Sequence, residues 1–447
     1  MLAIAFAARF YFATQLLPAP VGDSVAYLEP IYNYCHGNQL TSYLWVGNVD
    51  PTGEHRFIWQ GPLPPIVYRL LAKGCSLRLL FELRCALFLI IPLALIVLVR
   101  RGLLSAGAWF CLSIFCLAAV ERGQFRPEYF CMIFVVLAYV VRVSAGIFLE
   151  GICWGCLFLS SPVSGGLYGV ARAADSGPAG LRELPYFLAG AIPAMVLIFL
   201  LYPYHFGDWL IGMKLQALLI NGRSDGDIYT YYIRSDFLPL WGFSLGFIIL
   251  VSIFSNLRYL LLLPFVWYFG IRVPPTSYNV LTTVTLVFLQ TYPLVSRRLR
   301  GLAVASLLVP GLLGLIQITA RDGVSMLYYP DSFNRTQSTI ASLIASGADI
   351  KGAPFFTFFS NPELYDLSGK GFPAIVAPRQ KGGTSQPERI LIAQESGSGG
   401  AACPQGTTSI TPQRQRPWWL VFRTSSSWAI NLCKYPPDKI EYPADHR

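Results

Sequence analysis

Apolar runs and short polar turns alternate along this chain as far as about residue 319, where the alternation stops. The runs cover residues 2–17, 85–99, 103–120, 129–141, 185–201, 238–254, 259–269, 280–294 and 302–318, with a shorter pair at 145–159 and 163–171 broken by Ser160-Ser161-Pro162. Runs of this kind predict membrane-spanning helices, about eleven in all. Two polar stretches interrupt them, 18–80 and 202–236, and loops of that length between spans are usually functional. Inside the first, residues 24–34 and 66–71 predict short interfacial helices. Residues 320–447 are rich in Ser, Gly and Pro and hold no spanning run. Their pattern predicts an amphipathic helix at 332–345, with Asp331 as its N-cap, and strands at 355–359, 374–377, 390–393 and 418–422. The expected fold is mainly α: a polytopic transmembrane helical bundle over 1–319, followed by a small α/β or α+β domain over 320–447.

Composition agrees with that pattern. Of 447 residues, 54% are hydrophobic and only 13% charged, about half the charged fraction of a soluble domain. The net charge of +10 comes without a basic run long enough to form a nucleic-acid patch, so nucleic acid is excluded as a partner. The basic residues instead orient the chain. With the N-terminus inside, Arg100-Arg101, Arg142, Arg172 with Arg182, Arg258, and the Arg297-Arg298-Leu299-Arg300 cluster all fall on the cytoplasmic side. Both long polar stretches, the Glu121–Glu128 turn and residues 320–447 then face outward. Arg9, and Pro18 and Pro20 in place of a small-residue cleavage site, argue against a cleaved signal in the first run.

Cys111, Cys116, Cys131, Cys153 and Cys156 lie in apolar runs and read as packing residues. In an oxidising outer compartment Cys403 and Cys433 are expected to pair, with Cys35 and Cys75 as competitors. No His/Cys/Asp cluster has metal-ligand spacing, so no metal and no cofactor are indicated. Asp225-Gly226-Asp227 reads as a polar turn.

The candidate chemistry begins at Val21-Gly22-Asp23-Ser24-Val25-Ala26-Tyr27, where an acid follows the first span directly. A span containing Arg9, then Pro, then Gly22-Asp23 with Tyr27 four residues after the acid, resembles the start of GT-C membrane glycosyltransferases, the aminoarabinose transferase and protein O-mannosyltransferase branch in particular. Phe125-Arg126-Pro127-Glu128 resembles the outer turn between spans three and four of that superfamily. The chain departs from the commoner pattern at Ser24, where a second acid often stands, which weakens any role needing two adjacent carboxylates.

The resemblance implies an enzyme of a cell-envelope membrane, expected to be a bacterial inner membrane. It would transfer a sugar from a polyprenyl-phosphate donor to a hydroxyl on a lipid, glycan or protein acceptor. Asp23 would be the general base. Arg56, Arg122, Arg126 and Lys214 would stabilise the leaving lipid phosphate, while Glu128, His205, Trp59 and Tyr231, with Trp45 and Tyr232, would contact substrate. Structural alternatives stand beside each role: Asp23 as a helix cap, Arg126 as a headgroup anchor, Glu128 as its ion-pair partner, and His205 as a structural residue. Two other functions also stand. A lipid-linked glycan polymerase or ligase would concentrate Arg and His in a late outer loop. A transporter or flippase would place ionisable residues at mid-membrane, for which Arg9 is the main candidate.

Overall fold

The computed structural model describes residues 2–15, 23–36, 39–42, 50, 52, 54, 56–58, 60–72, 76–123, 125–221, 246, 256–268, 277–328, 349–351, 389–395, 408–409 and 429–434. The expectations for a span at 238–254, a helix at 332–345 and strands at 355–359, 374–377 and 418–422 lie outside the described residues. By their internal contacts the residues fall into two compact units, Met1–Ala13 with Gly22–Ile318 and Thr14–Val21 with Thr319–Arg447.

The first unit is built of helices. They are α1 (Leu2–Thr14), α2 (Asp23–Cys35), α3 (Leu63–Leu71), α4 (Leu77–Leu87), α5 (Ile90–Arg100), α6 (Ala106–Gly123), α7 (Glu128–Ser144), α8 (Ile147–Ser160), α9 (Pro162–Ser176), α10 (Ala179–Leu201) and α11 (Phe206–Asn221). A 3-10 turn (Leu257–Leu262) then runs into α12 (Leu263–Trp267), followed by α13 (Ser277–Thr291) and α14 (Arg297–Tyr328). The short helices expected at 24–34 and 66–71 are present as α2 and α3, and the short pair as α8 and α9.

Local chemistry explains several boundaries. The Ser76 hydroxyl caps α4 by accepting the Leu79 amide at 3.1 Å. Pro92 lacks the N–H that would bond the Phe88 carbonyl, and the helix breaks there into α4 and α5. Gly177 closes α9 at φ +56°, and Pro178 opens α10 immediately after it.

Among the described residues three stretches are long and apolar enough to cross a membrane: Leu77–Arg100, Ala179–Leu201 and Leu299–Ala320. The apolar helices Leu2–Thr14, Ala106–Glu121, Ile147–Ser160 and Leu281–Thr291 are shorter. Large apolar side chains lie open on α10, among them Leu181, Leu197 and Leu200, and on α14, among them Leu302, Leu313 and Ile316. A soluble monomer rarely exposes so much apolar surface.

The helices pack through small residues. A Cβ on Gly151 of α8 would collide with the Phe187 carbonyl of α10, and one on Gly190 of α10 with the Phe148 carbonyl of α8. Gly151 and Gly155 form the four-residue glycine spacing that lets membrane helices approach backbone to backbone. On α13 a buried row of Thr283, Thr285 and Thr291 bonds back to carbonyls one turn earlier. The Asn279 amide oxygen at its head accepts hydroxyls from Ser161, at 3.1 Å, and from Ser164. Glu150 of α8, fully buried, accepts from Arg172 Nε at 2.9 Å and the Tyr168 hydroxyl at 2.8 Å; Arg172 also bonds Glu183, and Arg142 bonds Asp175. This network ties α7 to α10.

In the second unit four strands form one mixed sheet in the order β1 (Asp349–Lys351), β2 (Arg389–Glu395), β4 (Ala429–Lys434), β3 (Thr408–Ser409). β1 and β2 are parallel; β4 runs antiparallel to both its neighbours, with Cys433 opposite Leu391 and Ser409. β2 coincides with the strand expected at 390–393.

Candidate outer-turn site

The turn between α6 and α7 is set by its aromatic residue. Phe125 is buried against Phe81, with ring centroids 4.9 Å apart, and against Tyr68 at 5.9 Å. Pro127 then starts α7, and Glu128 stands in its first turn, where the helix dipole favours a negative charge. The anchored ring fixes the backbone on either side of Arg126. The turn is shorter than expected, because α6 continues through Gly123. Glu121 is therefore a helical residue, fully buried, and not a turn residue.

Arg126 and Glu128 are both buried, and Arg126 Nε donates to Glu128 Oε2 at 3.4 Å. That distance lies at the long edge of hydrogen bonding. The Arg126 guanidinium carbon stands 5.6 Å from the centre of the Tyr27 ring, within cation–π range. The Tyr27 hydroxyl accepts from Gln60 Nε2 at 3.1 Å. Tyr27 belongs to α2, which opens at Asp23 four residues earlier. Tyr27 and Arg126, about 100 residues apart in the chain, are thus brought together.

The segment carrying Gln60 is clamped by several groups. Tyr202 and Tyr204 donate their hydroxyls to the Phe57 and Leu40 carbonyls at 3.0 and 2.6 Å, and Trp209 Nε1 donates to the Gln60 carbonyl at 2.9 Å. A Cβ on Gly61 would strike the Leu159 and Ser160 carbonyls at the end of α8. Arg56 is held by protein groups: Nη2 bonds Asp50 Oδ1 at 3.1 Å, Nη1 lies 3.3 Å from Asp208 Oδ1, and the guanidinium stacks on Tyr204. Burial alone would raise the Asp50 pKa, but its hydrogen bonds from Arg56 and Thr52 outweigh that and hold it below the usual carboxylate range. For Arg56, burial pulls downward, and the Asp50 bond and charge prevail, so its pKa is raised.

Other anticipated residues are spread more widely. His205 is exposed at the bend before α11, where its amide bonds Asp208 Oδ2 at 3.2 Å. Lys214 is exposed on α11 and forms no ion pair among the described residues. Arg122 is the penultimate residue of α6, with its side chain outside the described residues, as is that of Asp23. Trp45, Trp59, Tyr231 and Tyr232 lie outside them altogether. Cys35 at the end of α2 is disulfide-bonded, while Cys85, Cys111, Cys116, Cys131, Cys153 and Cys156 are free. Its partner, and the fate of Cys403, lie outside the described residues.

Sequence reasoning passed over Tyr27 as a contact and Gln60 altogether. It also missed the joining of Arg9, Arg84 and Glu121 into one buried cluster: Arg9 donates to Glu121 Oε2 from Nη2 at 2.7 Å and Nε at 2.9 Å, and Arg84 Nη2 reaches the same oxygen at 3.3 Å. Charged residues inside apolar runs were the available signal for that cluster.

Chemically, the turn offers a guanidinium beside a carboxylate and a phenol ring. Such a set can hold a phosphate oxygen and accept a proton from a hydroxyl. No protein-family model, curated protein or solved structure matches this chain.

Proposed function

We propose that this chain is a polytopic membrane glycosyltransferase of the GT-C kind, moving a sugar from a polyprenyl-phosphate donor to a hydroxyl on the outer face of a membrane. The observation that carries the reading is the meeting of the two motifs: Asp23 begins the helix whose next turn bears Tyr27, and Tyr27 lies under Arg126. Arg126 then faces the leaving phosphate, and Asp23 takes the proton of the attacking hydroxyl. The membrane frame has about eleven spans with the N-terminus inside and the two outer segments and residues 320–447 outside. Three long apolar helices support it, and so does a disulfide at Cys35, since disulfides persist in oxidising compartments.

The deciding experiment incubates purified protein with a panel of polyprenyl-phosphate sugars and asks which is consumed. Asp23→Asn keeps the helix start, because Asn caps about as well as Asp, but it removes the base. Transfer is expected to fall by roughly 10²–10⁴-fold with donor binding intact. Near-normal turnover at equal expression would reduce Asp23 to a cap.

A second reading, transport of a lipid-linked or free sugar, is favoured by one observation: Arg9, Arg84 and Glu121 are all fully buried in apolar helices. Translocation of a labelled donor in vesicles, without its consumption, would select that reading.

A further inference from the structure

The buried cluster beneath the outer turn is short of acceptors. Glu121 Oε2 takes two bonds from Arg9, leaving Arg84 a single longer one to the same oxygen. Arg84 Nε and Nη1 are enclosed and have no hydrogen-bond partner. The Tyr68 hydroxyl is enclosed and unpartnered in the same way. Both residues rest on one ring: Tyr68 lies 5.9 Å from Phe125 between centroids, and the Arg84 guanidinium 5.7 Å from the same centroid. Phe81 flanks the guanidinium at 5.6 Å.

Three N–H groups of Arg84 and the O–H of Tyr68 therefore stand against one unfilled oxygen, Glu121 Oε1. An enclosed guanidinium with an incomplete partner set is costly to keep charged. Among the described residues the titratable and charged groups around it are Arg9, Glu121, Tyr68, Cys85 and Tyr129, whose hydroxyl donates to the Arg84 carbonyl. Only Glu121 among them is an anion.

We propose that the Arg84–Tyr68 pocket binds one small monovalent anion of halide size. A halide only accepts hydrogen bonds, which matches the excess of donors on Arg84 and Tyr68. Arg84 and Glu121 have 0% exposure, and Tyr68 likewise, so a tailless ion suits the enclosure better than a headgroup drawn in with its lipid chain. The proposal rests on this geometry and not on the transfer reading.

The test uses the full chain in lipid nanodiscs, unfolded by heat in sodium chloride, bromide, gluconate or phosphate at one ionic strength. Chloride and bromide are expected to raise the Tm saturably over gluconate by about 3 °C or more, as a ligand of the native state does, and phosphate is not. Tyr68→Phe should shrink that difference, and Arg84→Gln should abolish it. Equal Tm values in chloride and gluconate would overturn the proposal, whether or not either variant folds. So would a chloride effect of undiminished size in both variants, or a phosphate effect equal to that of chloride. A halide effect in a protein that transfers no sugar would leave the proposal standing.

Discussion

Arg126 stacks on Tyr27 and donates to Glu128 at 3.4 Å. In the proposed reading it turns to the donor phosphate. Arg126→Ala is expected to weaken donor binding at least tenfold, and Arg126→Lys to restore only part, because an ammonium lacks the planar fork. Titration with a non-transferable donor analogue measures both, and unchanged binding in the alanine variant would leave Arg126 as an anchor. Arg56 illustrates the opposite case, since Asp50 and Asp208 both engage it. Asp50 has a pKa lower in the folded chain than in the unfolded one. Its bond therefore stabilises the segment fully above about pH 4 and is lost as pH falls through the lowered folded value. Hydrogen exchange of residues 56–58 should accelerate on acidification, and Asp50→Asn should be fast already at neutral pH. The pairing of Arg126 with Glu128 was legible, because both charges stand out against an apolar background. Arg56 looked identical in sequence to a phosphate ligand, because its partner Asp208 lies about 150 positions away.

At the scale of elements, apolar periodicity located most helices to within a few residues, and the misses have physical causes. α4 starts eight residues before the expected 85–99 run, because Arg78, Glu82 and Arg84 dilute its first turns; Arg78 and Glu82 pair with each other and Arg84 is buried against Glu121. α11 read as a polar loop, because His205, Asp208 and Lys214 punctuate that segment; around them it is apolar, burying Trp209 and exposing Leu210, Ile211 and Leu218. The contact of α8 with α10 yields the sharpest element-level test. Gly151→Leu or Gly190→Leu must force two backbones apart, and a loss of about 3 kcal/mol or more is expected. Gly166→Ala in α9 meets nothing within 4 Å and should be neutral or gain up to about 1 kcal/mol, the helix-propensity difference. Thermal unfolding of the three variants in one detergent ranks them; equal stabilities would mean that the two helices do not approach this closely.

For the whole molecule, basic residues that recur on every second loop set the expected orientation, whereas the contact between distant segments was not legible, since a single sequence holds no record of which turns touch. Reporter fusions at Arg101 and Gly383 are expected to give opposite signals, cytoplasmic and outer; matching signals would refute the orientation. Non-reducing peptide mapping should find Cys35 bridged, and a free Cys35 thiol would remove the disulfide support for an oxidising outer face.

The clamp on residues 40–61 also carries a schedule. The groups that hold this segment, Leu159, Ser160, Tyr202, Tyr204 and Trp209, are translated some 100–150 codons after it. At roughly 5–20 residues per second, an emerging chain would carry residues 40–61 unclamped for about 8–30 s. Ribosome-arrested chains make that interval visible. A chain arrested soon after Leu201 should be cut by added protease within this segment, and one arrested beyond Thr291 should resist. Residues 40–61 would then be held only once residues 159–209 have followed them out, which gives quality-control machinery a defined window in which to recognise an unfinished protein.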